Sequence, residues 1–170
     1  MGIRDIGLRL ACRDDARAMA LMSRDLIETG LGWSYPPDRI RRLLDDPEIV
    51  PVAARRNEQL AGFGIMRFGD EHAHLVLLAV RPAYQRIGIG RRIVDWLLES
   101  AAVAGIASIH VELRARNKSA LALYQASGFS ETMRLTGYYS GRETAIRMLR
   151  LLRAPAPAPE PWRPPTLDKR

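Results

Sequence analysis

The sequence predicts an α/β (α+β) domain, a mixed twisted sheet of about seven strands with helices on both faces. Three observations point there. Short apolar runs of strand length alternate with stretches of helical period. Gly, Pro or Asn marks most changes of period. One apolar run, Leu75 to Val80, passes through a glycine-containing turn straight into an amphipathic helix.

Leu8 to Ala11 reads as a first strand. Asp14 or Asp15 can cap the helix behind it, with Ala18, Leu21, Met22 and Leu26 as its apolar face and Gly30 as its stop. Trp33-Ser34-Tyr35-Pro36-Pro37 is a stiff aromatic loop, able to staple the helices together or to line a pocket. Pro37 opens a second short helix carrying Ile40, Leu43 and Leu44, which ends before Pro47. Ile49 to Arg55 and Leu60 to Phe68 form a hairpin around Arg56-Asn57-Glu58, and a turn at Gly69-Asp70 leads to a third strand, Ala73 to Val80. The next helix starts near Gly88, runs about four turns with Ile93, Val94, Trp96, Leu97, Leu98 and Ala101 apolar, and closes near Gly105. Ile106 to Leu113 alternates as a strand. Asn117 or Ser119 starts a helix ended by Gly128, and Phe129 to Leu135 and Thr144 to Leu151 make a final pair of strands. Residues 1–153 thus form one domain. Residues 154–170 carry six prolines and little to bury, so they read as an extended, disordered tail.

A chain of 170 residues, 47% hydrophobic and 26% charged, has the composition of a globular protein with a full core. It has no apolar run near the roughly 20 residues a bilayer span requires, and no leader pattern. The single cysteine, Cys12, excludes an internal disulfide and reads as a small buried hydrophobe. These features make a cytoplasmic protein the expectation, with no membrane partner. The net charge is +7. Up to Glu71 there are 11 basic and 12 acidic residues; from His72 onward there are 15 and 7. The excess of positive charge lies in the half that holds the glycine turn, which a polyanionic cofactor explains as well as a nucleic acid would. A nucleic-acid partner is not expected, because the helix after Gly90 offers only Arg91 and Arg92 and is otherwise acidic or apolar.

The turn itself is Gln85-Arg86-Ile87-Gly88-Ile89-Gly90. Glycines at a strand-to-helix junction let a ligand approach the backbone closely. The first N–H groups of the helix have no partner within it, and its dipole favours an anion there. This is the chemistry of a pyrophosphate cradle. The spacing matches neither a nucleotide P-loop nor a dinucleotide fingerprint. It resembles motif A of the GNAT superfamily, the acetyl-CoA-dependent N-acetyltransferases.

A second segment supports that resemblance. Glu112-Leu113-Arg114-Ala115-Arg116-Asn117, followed by Leu123-Tyr124-Gln125-Ala126-Ser127-Gly128-Phe129, is similar to the ribosomal-protein-alanine N-acetyltransferases within the superfamily. Tyr138-Tyr139-Ser140-Gly141-Arg142-Glu143-Thr144-Ala145 is similar to their Tyr-Tyr-Pro…Gly-Arg-Glu-Asp-Ala segment, but it is shorter and lacks the proline. The likeness spans roughly residues 60–148. It implies a GNAT-like sheet and an enzyme that passes the acetyl group of acetyl-CoA directly to a primary amine, either a protein N-terminus or a small amine.

The resemblance also assigns roles. Glu112 becomes the base that takes the amine proton, and Tyr124 the acid that protonates the departing thiolate. Leu78, Ala79 and Val80 supply backbone donors to the acetyl carbonyl. Arg86, Ile87, Gly88, Ile89, Gly90 and Arg91 hold the pyrophosphate, and Asn117 caps its helix while touching the coenzyme. Without the resemblance, Glu112 reads as a strand-end carboxylate paired with Arg114 or Arg116, and Tyr124 as a core aromatic. His72, His74 and His110 have no metal-ligand spacing, and no metal is expected. The alternatives left open are a small-molecule amine acetyltransferase, a coenzyme A sensor without turnover, and a basic nucleic-acid-binding domain. Either a monomer or a homodimer fits.

Overall fold

The computed structural model describes residues 5–153; the proline-rich tail expected from 154 onward and the first four residues lie outside them. Seven strands form one sheet in the order β1-β2-β3-β4-β5-β7-β6. They are β1 (Gly7–Leu10), β2 (Ile49–Arg56), β3 (Gln59–Phe68), β4 (His72–Val80), β5 (Ser108–Arg114), β6 (Ser130–Tyr139) and β7 (Glu143–Leu151). The helices are α1 (Ala16–Met22), α2 (Pro37–Asp45), α3 (Ile89–Val103) and α4 (Lys118–Ala126). Every strand pair is antiparallel except β4 with β5, which α3 joins by a crossover.

Two apolar layers hold the sheet. On one face, Ile89, Ile93, Val94, Leu97 and Ala101 of α3 and Tyr124 of α4 pack on Ala73 and Leu75 of β4, Ile109, Val111 and Leu113 of β5, and Ile146 and Met148 of β7. The α3 positions recur at helical spacing, which puts all five on one stripe. On the other face, Ala16, Met19, Ala20 and Met22 of α1 and Ile40 of α2 cover Ala53, Phe63, Ile65, Leu77 and Ala79. The α1 stripe thus begins two residues earlier than the sequence suggests: Ala18 and Leu21 are only partly buried. The reason is that a 3-10 turn, Arg13–Asp15, precedes α1 and a π turn, Ser23–Ile27, ends it, so a single helical period does not run through the segment. Cys12 is exposed rather than buried, because β1 stops at Leu10 and Cys12 caps the 3-10 turn.

α1 and α2 cover only the β1–β4 side of their face. They leave Glu112 of β5, on that face, open to the cleft described below. On the other face, α3 lies so close to β3 that glycine is needed. A Cβ at Gly64 would come within 2.7 Å of Ile93 Cγ2 and 3.0 Å of Leu97 Cδ1. Ile93 is branched and fully buried, so it has nowhere to turn. Gly64→Ala is therefore expected to cost about 1–3 kcal/mol by overpacking. Urea unfolding of the two proteins reads this directly as a lower midpoint at unchanged m-value, and an unchanged midpoint would refute the close contact.

Candidate active site

β4 and β5 pair in parallel only from His72↔Ser108 to Leu75↔Val111. Beyond that point they separate. The change coincides with a break in the β3–β4 register, where Ile65 faces Leu77 and Met66 faces Leu75, leaving Val76 as an extra residue. Such a bulge bends its strand and re-aims the side chains that follow. Before it, Ala73 and Leu75 face α3; after it, Leu77 and Ala79 face α1. The separated strands open a cleft of about 800 Å³ between β4, β5, α4, the segment after α1 and the β6–β7 hairpin.

The backbone of β4 beyond the bulge supplies donors to this cleft. Arg81 N donates to Ala61 O across the β3 ladder at 2.8 Å. By the alternation of an antiparallel pair, Ala79 also points its N–H at β3, whereas Leu78 and Val80 point theirs to the cleft side. Val80 O, on that same side, accepts from Gln85 Nε2 at 2.8 Å. Of the three expected donors, Leu78 and Val80 therefore point away from β3, Leu78 within the cleft lining, and Ala79 is spent on the sheet.

The start of α3 is an uncapped helix terminus. Gly88 is its N-cap residue at φ 86°, no side chain caps it, and its first backbone bond is Arg92 N to Gly88 O at 3.1 Å. Arg86 is also left-handed, at φ 66°, and its exposed side chain has no ion-pair partner among the described residues. Two left-handed residues turn the chain so that the amides of Ile89, Gly90 and Arg91 lead into the helix without an acceptor. Gly90 packs on α4, where a Cβ would meet Leu123 Cδ2 at 3.3 Å. Arg91 is engaged elsewhere: its guanidinium bonds Asp95 Oδ1 at 3.0 Å and Ala126 O at 2.9 Å, tying α3 to the end of α4. Its side chain is thus spent on tying the two helices, and only its backbone N–H remains for a ligand at the helix start. Asn117 caps α4 by accepting from Ala120 N at 3.1 Å and lines the cleft.

Glu112 and Tyr124 both line the cleft, as does Tyr139. Arg147 of β7, directly opposite in register, grips Glu112 Oε1 with Nε at 3.0 Å and Nη2 at 2.8 Å, and Tyr138 Oη donates to Oε2 at 2.5 Å. Partial burial works to raise the Glu112 pKa, but these bonds outweigh it and hold the carboxylate below its ordinary value. The expected partners, Arg114 and Arg116, lie against Glu143 instead, at 3.6 and 3.2 Å. Tyr124 is 5% exposed, with Phe129 edge-on at 5.5 Å. Burial, with Tyr139 nearby, pushes its phenol well above its ordinary pKa, so it keeps its proton at neutral pH. Burial likewise pushes Tyr139 up to about 12.

The far wall comes from a segment that carries no motif. Glu28 is 7% exposed and accepts from Ser23 Oγ at 3.0 Å, Ser34 N at 2.6 Å and Tyr35 N at 3.4 Å. It pins residues 28–35 in place, with Leu26, Ile27, Leu31 and Tyr35 facing the cleft. Of the two aromatics in this loop, Tyr35 lines the cleft; Trp33 is 41% exposed and sits beneath Arg24. A lone glutamate before a glycine-rich loop reads as a surface residue, so the sequence carried no signal for Glu28.

Residues 18–129 match the Acetyltransferase (GNAT) family. The [ribosomal protein bS18]-alanine N-acetyltransferase of Escherichia coli K12 is 38% identical over 96 residues, covering 55% of this chain and 65% of that protein. The match thus spans less than two thirds of that relative's length. An N-alpha-acetyltransferase RimI of Mycobacterium tuberculosis is 35% identical over 133 residues, 75% of this chain and 80% of that one. A crystal structure of the E. coli ribosomal-protein-S18-alanine N-acetyltransferase superposes with a TM-score of 0.74 at 26% identity, over 88% of this chain and 96% of the other. The splayed strands, the uncapped helix after a glycine turn and these likenesses converge: the chain belongs to the acetyltransferase (GNAT) family.

Proposed function

We propose that the protein transfers the acetyl group of acetyl-CoA to a protein or peptide N-terminal amine. The observation that carries this reading is the separation of β4 from β5 beyond Leu75↔Val111. It leaves the Leu78 backbone on one wall of the cleft and Glu112 on the other, and the chain leads on from β4 to the uncapped start of α3. The likeness to enzymes named for N-terminal acetylation supports the choice of acceptor.

Acetyl-CoA supplies the acetyl group as a reactive thioester. The residues present fit it: the free amides from Gly88 to Arg91 suit a pyrophosphate, with Arg86 adding charge. Leu78 and Val80 N–H donate to the acetyl oxygen as negative charge develops on it. Glu112 faces the acceptor amine and takes its proton, and Tyr124, protonated at neutral pH, returns one to the departing sulfur. The cleft wall at Leu26, Leu31 and Tyr35 is apolar beside the Glu28 carboxylate, which suits the first residues of an extended peptide.

Acetyl-CoA should raise the melting temperature, because a ligand selective for the folded state adds RT ln(1 + [L]/Kd). Gly88→Val, which forces a branched side chain into left-handed backbone, should remove that shift while the protein still melts cooperatively. A full shift in the folded variant would rule out the cradle.

Turnover with N-terminal peptides, followed by thiol release, tests the roles. Tyr124→Phe should lower kcat by about 10² to 10⁴-fold at nearly unchanged acetyl-CoA affinity. Glu112→Gln should lower kcat/KM most at neutral pH, with the loss shrinking as rising pH deprotonates the free amine. A wild-type pH profile in Glu112→Gln removes that residue from the chemistry, and turnover of polyamines but not peptides would replace the acceptor.

A further inference from the structure

The tip of the β6–β7 hairpin is held by little of its own backbone. Leu135 pairs with Ala145 and Tyr139 with Glu143, so Thr136, Gly137 and Tyr138 stand against Thr144 alone. The extra residues make β6 bow out of its ladder there. Past Tyr139 the chain turns at Ser140 and Gly141, both left-handed, and Arg142 N donates to Tyr139 O at 3.0 Å. Beyond Leu135↔Ala145, one rung, Tyr139↔Glu143, ties the tip to β7. Yet this tip reaches over β7 to β5, where Tyr138 Oη donates to Glu112 Oε2.

Arg114 lies against both members of that rung. Its guanidinium sits 5.9 Å from the centroid of the Tyr139 ring, and its Nε is 3.6 Å from Glu143 Oε2. Glu143 Oε1 faces the more exposed Arg116 at 3.2 Å. Arg114 follows Glu112 by two residues on β5, so both point to the cleft while Leu113 between them packs on the α3 side. The Arg114 side chain is 11% exposed. Its Nε and Nη2, like Glu143 Oε2, make no hydrogen bond among the described residues. A buried pair held by charge alone contributes little to stability, because desolvation offsets the attraction. Its place under the one rung of the tip gives it another use.

We infer that Arg114 and Glu143 are positioning residues for Glu112, acting through the tyrosine tip. This rests on the reading of Glu112 as the base that takes the amine proton. Its carboxylate is held at both ends, Oε1 by the Arg147 fork and Oε2 by Tyr138. Arg147 is placed by the regular β5–β7 register. Tyr138 is not: it stays on Oε2 only while the bowed tip stays down. Arg114 attracts Glu143 and carries the Tyr139 ring, and Tyr139 in turn meets Tyr138 edge-on at 5.0 Å. Without that hold the carboxylate keeps one anchor and can turn about the Arg147 fork, away from the acceptor amine. A displacement of about 1 Å at a reacting group is enough to cost about 10²-fold in rate.

The measurement is kcat/KM by thiol release with an N-terminal peptide, beside the acetyl-CoA thermal shift, for the full chain and its variants. Glu143→Gln and Arg114→Gln should each lower kcat/KM by about 10²-fold, with the thermal shift unchanged. Arg114→Lys keeps the charge and should recover most of that loss. Tyr138→Phe should show a comparable loss, and adding Glu143→Gln to it should lower kcat/KM no further, because both act through one contact. A purely structural role predicts instead that the two losses multiply. Where Glu143→Gln does not melt cooperatively, Arg114→Met combined with Glu143→Leu takes its place, since removing both charges of a buried pair usually spares the fold. It must show the same loss. Wild-type kcat/KM in a cooperatively melting variant, multiplying losses, or failure of the charge-free pair to fold overturns the positioning role and leaves the acetyltransferase reading standing. Absence of turnover by the wild-type chain with every amine tried overturns both.

Discussion

The short parallel contact between β4 and β5 is the constraint on which the rest of the molecule depends. A sheet gains stability by pairing every backbone group, and here two central strands give up pairing just past Leu75↔Val111. The loss is confined because β3 still holds β4 along its full length and β7 still holds β5. The strands are therefore rigid on their outer sides and open on their inner ones. The Val76 bulge lets the separation begin without unpairing β3, and it exchanges the faces, so that Leu77 and Ala79 reach the α1 layer while His72 and His74 stay beside Glu112.

Around that opening, each wall is fixed by a different kind of bond. The glycine turn is fixed by backbone conformation, with Arg86 and Gly88 both left-handed. Glu112 is fixed by charge, between a guanidinium and a phenol. Glu28 is fixed by neutral donors alone, two backbone amides and a serine hydroxyl, and so keeps its oxygens committed to the loop it orders. Tyr124 is fixed by packing against Phe129. Rigid placement of this sort suits a reaction that depends on proton transfers over short distances. Some of the unsatisfied buried groups lie beside that opening. Buried nitrogens of Arg114 and a buried oxygen of Glu143 make no hydrogen bond among the described residues, although the two side chains approach to 3.6 Å.

Much of the fold was legible because it rests on local signals. The apolar periods place all seven strands and four helices in the right order, and Pro37, Asn117, Gly105 and Gly128 mark the ends where the structure has them. The errors sit where local period fails. The α1 segment changes from 3-10 to α to π within 15 residues, so no single period describes it, and its buried stripe shifted from Ala18 and Leu21 to Ala16, Met19 and Ala20. Strand β6 runs to Tyr139, beyond the expected Leu135, because its outer half pairs with β7 at only one point, Tyr139↔Glu143.

By itself the sequence determined the glycine turn, the helix it opens, the strand that carries Glu112 and the helix that carries Tyr124, since each is written in consecutive residues with their own backbone preferences. Only the tertiary structure decided what surrounds them. Arg147, Tyr138, Glu28 and His74 come to the site from four separate segments, at separations of 26 to 35 residues from Glu112 for the two that bond it. Which arginine meets Glu112 depends on strand register: β7 sets Arg147 opposite it and turns Arg114 and Arg116 toward Glu143. Register is a property of the assembled sheet, and a one-residue slip would turn every one of these side chains to the other face.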